Sequence, residues 1–373
     1  MAPDPAITPA ADDGQDSGAD AAAPKFGTVD DTTIPSTARR RMLRGLDGSG
    51  PDDATLPRAA AATVAFSGTR ACLHCGGVIA ADDYCSQCGA VAEKERDHFV
   101  RATGPDLGGV CNRGVAHHRN EDALALARQG DVAMLVVCDG VSSAPVSDVA
   151  SMAAVDAALS FLQQGAPGGP EEIVGEPLTR TKNWAARLVT AASRANAAVL
   201  QVPPEGENSP SCTFVAAVVD GARAIVAWVG DSRAYWIPDQ GLVQQLTHDD
   251  SWAQEMIDLG HPAAQISQAP HAHAITNWLG ADAPDREPRT DTTVMDRPGW
   301  LLLCTDGLWN YAPDPADLAE VLRAYADAPG AGTTAVGLAT AMVSWANSQG
   351  GRDNVTVALL RWDPPASLGV VTE

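Results

Sequence analysis

Apolar runs of strand length alternate with longer helical segments from about residue 100 to residue 363. Five runs have the continuous apolar character of strands buried on both faces, at 132–140, 212–221, 224–232, 299–307 and 354–362. Asp220-Gly221 between the second and third run predicts a hairpin turn. Segments 147–164, 181–201 and 333–349 follow a helical pattern, each with Ser or Thr at its start. Packed sheets covered by helices are therefore expected.

The flanking regions divide the chain further. Residues 1–70 are acidic, rich in Ala and Pro and without periodicity, which predicts a disordered tail. A cysteine-rich segment (71–90) and a linker (91–106) precede the large domain (107–363), and a short tail (364–373) follows it. The sequence contains neither an apolar run of about 18 residues nor a basic and apolar leader at its start. We therefore expect a cytoplasmic protein that does not enter a membrane.

Composition narrows the function classes. The formal net charge is −22 and the pI is about 4.6. Binding to nucleic acid or to an anionic membrane surface needs a basic footprint, so neither partner is expected. A hydrophobic content of 45% is ample for a large core.

Two Cys-x-x-Cys pairs lie in the sequence ACLHCGGVIAADDYCSQCG, at Cys72 and Cys75 and at Cys85 and Cys88. Two such turns can complete a tetrahedral four-sulfur site, which predicts a ribbon with one structural zinc ion. Disulfides, or thiols that cluster without a metal, are the alternatives, and disulfides are rare in cytosolic chains. Because the flanking residues are not basic, we expect the ribbon to contact a protein partner.

Aspartates end two of the buried runs, at Asp139-Gly140 and Asp306-Gly307. A carboxylate beside a hydrophobic core is costly unless a partner or a cation compensates it. Three further acidic steps lie at or beside strand ends, at Asp122, Asp231 and Asp353. None has a His or Cys at ligand spacing, and an oxygen-only cluster suits Mg²⁺ or Mn²⁺. The sequence has no nucleophile elbow, Gly-rich phosphate loop or Cys-x5-Arg motif, which leaves water activated between two metal ions as the way to attack a phosphate ester.

These motifs carry a resemblance. RNEDA, VVCDGVSS, WVGDSRAYW, LTHDDS, ITNWLG, LLLCTDGL and GRDNVTV follow one another as in the metal-dependent serine/threonine protein phosphatases of the PPM family (type 2C). The resemblance covers roughly residues 107–362. It implies an α+β fold, a four-layer α-β-β-α sandwich of two antiparallel sheets flanked by helices. It also implies phosphoprotein substrates, hydrolysis that opposes Ser/Thr kinases, and a binuclear centre at one end of the sandwich.

The resemblance assigns the first ligands. Asp139, assisted by the Gly140 carbonyl, matches the ligand that bridges both metal ions. Asp306 and Asp353 match the remaining protein ligands of the first ion. The same comparison implies two or three Mg²⁺ or Mn²⁺ ions in all.

The remaining acids match the other positions. Asp122, with Glu121 beside it, matches the side of the second ion. Asp231 resembles the ligand of a third, weaker ion in bacterial members, shared with Asp306. A turn residue with a salt bridge to Arg233 is the alternative for Asp231.

The chain departs from the family pattern where the phosphate is held. The family's clamping arginine is replaced by His117, and the nearest arginines are Arg113 and Arg119. A neutral histidine cannot supply the bidentate fork of an arginine. His117, Arg119 and Arg113 are therefore all candidates for the phosphate contact, and the alternative is that both arginines pair with local acids at the surface.

Two hypotheses remain at the level of sequence. The complete set of carboxylates favours an enzyme, a metal-dependent protein phosphatase. The missing arginine keeps open a second reading, a degenerate phosphatase fold that binds phosphoproteins and acts through the zinc ribbon.

Overall fold

The computed structural model of the chain describes residues 77–80, 82, 84–89, 92, 94–204, 208–266, 269–284, 287–327 and 334–364. The predicted disordered tail (1–70), Cys72 and Cys75 lie outside the described residues, as does the C-terminal tail beyond residue 364. Within this described part, no helix is long and apolar enough to cross a membrane.

The described chain forms thirteen strands and seven helices. The strands are β1 (His98–Ala102), β2 (Leu107–Asn112), β3 (Ala123–Gln129), β4 (Val132–Cys138), β5 (Ser211–Cys212), β6 (Phe214–Asp220), β7 (Arg223–Val229), β8 (Arg233–Pro238), β9 (Gln244–Gln245), β10 (Leu279–Gly280), β11 (Arg289–Val294), β12 (Gly299–Cys304) and β13 (Val355–Trp362). The helices are α1 (Ser147–Gly165), α2 (Pro177–Val199), α3 (Trp252–Asp258), α4 (Ala263–Ile266), α5 (Asp306–Trp309), α6 (Pro315–Ala326) and α7 (Ala335–Gln349).

Two antiparallel sheets organise these strands. One has the order β1-β2-β13-β12-β8-β9 and the other the order β11-β7-β6-β4-β3, while β5 pairs with β10. The predicted hairpin is confirmed, because β6 and β7 pair from Asp220 and Arg223 outward.

The continuous apolar runs reflect burial on both faces of each sheet. Along β4, Ala133, Leu135 and Val137 pack between the two sheets. The alternate residues, such as Met134 and Val136, pack under α1 and α2. The six-stranded sheet is covered on its outer face by α6 and α7 in the same way. The predicted four-layer α-β-β-α sandwich is confirmed.

The predicted start of α1 at Ser147 is confirmed, but of the Ser and Thr residues at the three predicted starts only one caps its helix. The Ser147 hydroxyl does not cap α1; it donates to the Val141 carbonyl at 2.7 Å and so ties down the loop after β4. The second helix begins earlier than predicted, at Pro177, whose fixed φ suits a first helical turn. Only Thr334 caps its helix as expected, by accepting from the Gly337 amide at 3.1 Å.

We expect Leu135→Ala to lower the free energy of unfolding by about 2–5 kcal/mol, because the side chain is fully buried between the sheets. Leu242→Ala is the matched control, since that side chain is 89% exposed, and it should change stability by less than about 0.5 kcal/mol. Urea denaturation followed by fluorescence measures both. Equal losses would contradict the packing described here.

Candidate metal centre

Four of the predicted acids meet because of strand direction. Asp139 follows β4 and Asp306 follows β12, and these two strands pack against each other across the sandwich. β3 is antiparallel to β4, and β13 is antiparallel to β12. The residues that precede β3 and β13, Asp122 and Asp353, therefore lie at the same end of the sandwich as Asp139 and Asp306.

The glycine after each strand-end aspartate is required by a close approach of backbone. A Cβ atom at Gly307 would overlap the Asn354 carbonyl oxygen, and one at Gly140 would lie 2.7 Å from the Glu121 carbonyl oxygen. Asn354 and Glu121 are the neighbours of Asp353 and Asp122 in sequence. The small residue in each Asp-Gly step thus lets the carboxylate-bearing segments come together.

Asp122 is the most enclosed member of the cluster. Its Oδ2 accepts hydrogen bonds of 2.8 Å from the hydroxyls of Thr305 and Thr356. Its Oδ1 is buried and has no partner among the described residues. The pKa of Asp122 is raised to about 7: burial raises it most, the hydrogen bonds from the two threonines lower it, and the charges of Asp353 and Asp306 raise it.

Asp306 has the same arrangement on the other sheet. Its Oδ2 accepts from Asn310 Nδ2 at 3.0 Å, whereas its buried Oδ1 has no hydrogen-bond partner in the described part of the chain. Burial and then the charge of Asp353 raise the pKa of Asp306 to about 7, while hydrogen bonds from Asn310 and the Asp139 carboxyl lower it.

Asp139 lies at the centre of the repulsion. Burial is the largest cause that raises its pKa well above the ordinary value, followed by the charges of Asp122, Asp306, Asp353 and Asp231. Its backbone is fixed by Thr213, whose hydroxyl accepts from the Asp139 amide at 3.0 Å. The charge of Asp306 acts on Asp139 although the two residues follow strands of different sheets, so acids from the two sheets converge.

The residues fit a hard divalent cation. The carboxylates repel one another, and two of their buried oxygens have no hydrogen-bond partner among the described residues. A bound cation would make the ionised forms of these carboxylates favourable. All donors are oxygens, as Mg²⁺ and Mn²⁺ prefer. Among the described residues, no three His, Cys, Asp or Glu side chains are already arranged closely enough to hold a metal ion. Coordination therefore requires side-chain rotation within the cluster.

The Glu121 side chain points toward the guanidinium of Arg119. Glu121 is only 4% exposed. Its carboxylate pairs with Arg119, whose Nη2 lies 2.5 Å from Glu121 Oε1. The other end of the Arg119 guanidinium lies 3.5 Å from Asp148 Oδ1. Arg119 thus pairs with local acids, as the alternative prediction had it.

Asp231 lies beside the cluster and does not pair with Arg233. Burial raises its pKa well above the ordinary value, and Asp306 and Asp249 raise it further. The Arg233 guanidinium instead binds both oxygens of buried Asp249, at 3.0 Å from Nε and 2.7 Å from Nη2. Arg233 therefore forms its salt bridge with Asp249 and not, as the alternative had predicted, with Asp231.

Of the other phosphate-contact candidates, His117 lies beside the cluster. Its Nε2 lies 3.2 Å from Asp353 Oδ1. The Arg113 side chain is half-buried, and its Nε is buried without a hydrogen-bond partner in the described structure.

Sequence reasoning missed the residue that joins these segments. The Asn354 side chain accepts from the Glu121 amide at 2.7 Å and donates to the carbonyls of Arg113 and Arg119 at 2.8 and 3.0 Å. An asparagine directly after Asp353 was the available indication, as were the polar threonines at the ends of apolar strands.

The second cysteine pair lies on a tight turn. Cys85 pairs with Ile79 across a short bridge. Its Sγ accepts from the Gln87 amide at 3.4 Å, and its carbonyl accepts from the Gly89 amide at 2.9 Å. The turn carries Cys88. The predicted partners Cys72 and Cys75 lie outside the described residues.

Comparison with known proteins adds a family to this geometry. Residues 113–345 match the family "Protein phosphatase 2C". The "Serine/threonine phosphatase stp" of Listeria innocua is 28% identical over 254 residues, which span 67% of this chain and 92% of that protein.

Solved structures give the same fold. The PPM Ser-Thr phosphatase MsPP of Mycobacterium smegmatis, solved in complex with cacodylate, has a TM-score of 0.51 at 26% identity, over 71% of this chain and 100% of that one. The catalytic domain of PstP, solved in complex with two manganese ions, has a TM-score of 0.52 at 24% identity, with the same coverage of 71% and 100%.

Without divalent cations, we expect the melting temperature to fall as the pH rises from about 5 to about 8. Asp122 and Asp306 have pKa values of about 7 in the folded chain but about 4 when unfolded. The folded state therefore binds more protons in this interval, and its stability declines as they are lost.

Saturating Mn²⁺ should raise the melting temperature more at pH 8 than at pH 5, because the cation binds the deprotonated carboxylates. Asp306→Asn should flatten the metal-free pH profile and reduce the gain from Mn²⁺. Differential scanning fluorimetry measures both, and a wild-type profile identical to that of the variant would refute this account.

Proposed function

Because the chain belongs to the protein phosphatase 2C family, the metal-dependent serine/threonine protein phosphatases, we propose that the carboxylates around Asp139 form its catalytic metal centre. Phosphatases of this family use Mn²⁺ or Mg²⁺ ions and act on phosphoproteins. The observation that carries the proposal is the convergence of Asp139 and Asp306 from two different sheets, with two buried carboxylate oxygens left without partners.

We assign the shared position to Asp139, with the Gly140 carbonyl beside it. Asp306 and Asp353 complete the site of the first ion, and Asp122 lies on the side of the second. Support comes from the charges of Asp306, Asp353 and Asp122, which all act on Asp139.

Glu121 and Asp231 occupy outer positions in this assignment. Glu121 acts from the side of the second ion while it remains paired with Arg119. Asp231 is assigned to a third ion together with Asp306, because these two charges repel each other and Arg233 is committed to Asp249.

Threonine side chains hold the carboxylates in the positions that the metal ions need. When bound, the two ions supply a water nucleophile at neutral pH and offset the negative charge that builds on the phosphoryl group. Thr305 and Thr356 fix one oxygen of Asp122 and leave the other for coordination. Thr213 fixes the backbone of Asp139. No side-chain nucleophile is needed, so no phosphoenzyme forms.

The phosphate contact belongs to the loop that begins at Arg113. Arg119 is committed to Glu121 and Asp148, and His117 lies against Asp353. Arg113 shows no ion pair within the described residues, and an arginine supplies the bidentate donor that a phosphate prefers. We therefore favour Arg113 as the direct contact, with His117 orienting Asp353.

The second candidate function is a binding module, and the replacement of the clamping arginine by His117 is the observation that favours it. Such a module would bind phosphopeptides without turning them over. The complete set of carboxylates makes hydrolysis the stronger proposal.

We also propose a structural zinc ion at the cysteine segment, held by Cys72, Cys75, Cys85 and Cys88. Support comes from the tight turn at Cys85, where a backbone amide points at the sulfur, as expected when the turn directs thiolates to one metal ion. The ribbon would then serve as a contact site for a protein partner.

We expect Mn²⁺-dependent hydrolysis of a phosphothreonine peptide that is abolished by a chelator. Asp139→Asn and Asp306→Asn should each lower kcat by about 100-fold or more, since loss of mere supporting partners of a metal ligand already costs 10–100-fold. Asp291→Asn, on the exposed strand β11, is the matched control and should keep wild-type activity. Phosphopeptide binding with no turnover in the wild type would favour the binding module.

Purified protein should contain one zinc ion per chain by elemental mass spectrometry. Cys85→Ser and Cys88→Ser should each lose it, because a four-sulfur site lacks stability with three ligands. Ser86→Ala, in the same turn, should retain it. A disulfide in zinc-free wild-type protein, detected as a mass two daltons lower than the reduced chain, would sink the zinc assignment.

A further inference from the structure

We propose that Arg96 is a positioning residue for substrate binding, acting through a strap (residues 94–97) that fixes the phosphate loop (residues 113–121). The inference rests on the proposed phosphatase function, because the phosphate loop carries the three candidate phosphate contacts. The strap precedes the region that matches the phosphatase family, which begins at residue 113. It joins the cysteine segment to strand β1.

The strap holds the phosphate loop at both of its ends. The Asp97 carbonyl accepts from the Arg113 amide at 2.7 Å, and the Arg96 carbonyl accepts from Asn120 Nδ2 at 2.8 Å. Asp97 is 7% exposed, and its carboxylate accepts from the Lys94 amide at 2.9 Å. The strap is therefore a closed turn packed against the base of the loop.

The Arg96 side chain extends this contact to the start of α1. Its Nη2 donates to the Asp148 carbonyl at 2.7 Å and lies 3.1 Å from the Ser151 hydroxyl. Ser151 in turn donates to the Glu121 carbonyl at 2.5 Å. The Asp148 carboxylate lies 3.5 Å from Arg119 Nη1. One guanidinium thus contacts two residues of α1, Asp148 and Ser151, that themselves contact the end of the phosphate loop.

The opposite side of the phosphate loop has its own support. Asn354 binds the carbonyls of Arg113 and Arg119, and the Gly351 carbonyl accepts from the amides of Val115 and Ala116. Loss of the Arg96 side chain would leave the two backbone hydrogen bonds of the strap to the loop but would break the link from the strap to α1. In the described part of the chain, Arg96 itself contacts none of the carboxylates assigned to the metal ions, and through Ser151 it reaches the backbone carbonyl of Glu121 and not its side chain. The chemical step should therefore persist while substrate binding weakens.

The test compares wild type with Arg96→Ala, Arg96→Lys and the matched control Arg101→Ala. Arg101 lies on the neighbouring strand β1, is exposed, and stacks on Phe99 without contact to the phosphate loop. Steady-state kinetics use a phosphothreonine peptide at saturating Mn²⁺. Amide hydrogen exchange of residues 113–121 is measured on the same proteins without metal.

Arg96→Ala should raise KM about five- to ten-fold, the size expected for one or two lost hydrogen bonds. Its kcat should stay within about two-fold of wild type, as expected when the lost binding energy is the same in the ground state and the transition state, and amides 113–121 should exchange faster. Arg96→Lys, which keeps the charge and one donor, should lie between, and Arg101→Ala should match wild type.

Unchanged KM and exchange in a folded Arg96→Ala protein would overturn the proposal, as would a lowered kcat at unchanged KM. If Arg96→Ala does not fold, Arg96→Lys decides by the same criteria. An inactive wild type would refute the proposed function instead, while hydrogen exchange would still test whether the strap fixes the loop.

Discussion

Five carboxylates that repel one another are packed at one end of the sandwich. Burial alone disfavours an ionised Asp139, and the charges of Asp122, Asp306, Asp353 and Asp231 disfavour it further. Such a cluster destabilises a folded chain unless protons or cations compensate it. At a pH above their pKa values, five acids in this position therefore carry a cost that a bound cation would remove. That cost is the physical basis of the metal centre that we propose.

The fold brings the acids together with simple means. Antiparallel pairing places the start of one strand beside the end of the next, so four acids from β3, β4, β12 and β13 share an edge. Glycines remove the side chains that would keep the segments apart. Thr305, Thr356 and Asn354 then hold the cluster through hydrogen bonds that join residues far apart in sequence. Rigid strands and these hydrogen bonds thus fix the positions of the carboxylates.

The four layers and the clustered acids could be predicted from the sequence. The polar residues that hold the acids in place could not. Strand ends are visible as apolar runs that stop at Asp-Gly, because burial on both faces leaves a continuous pattern. The role of Asn354 depends on contacts across more than two hundred residues, which no local pattern encodes. The Ser147 hydroxyl looked like a helix cap, but tertiary packing directs it to the Val141 carbonyl. His117 and Arg119 were ambiguous for the same reason, since only the fold reveals that they contact Asp353 and Glu121.

Anomalous diffraction at the manganese edge from crystals grown with Mn²⁺ would locate the proposed metal ions. We expect two strong peaks at this end of the sandwich, both about 2 Å from oxygens of Asp139, with Asp306 and Asp353 at ligand distance from one of them. Manganese peaks at ligand distance from neither Asp139 nor Asp306 would contradict the proposal.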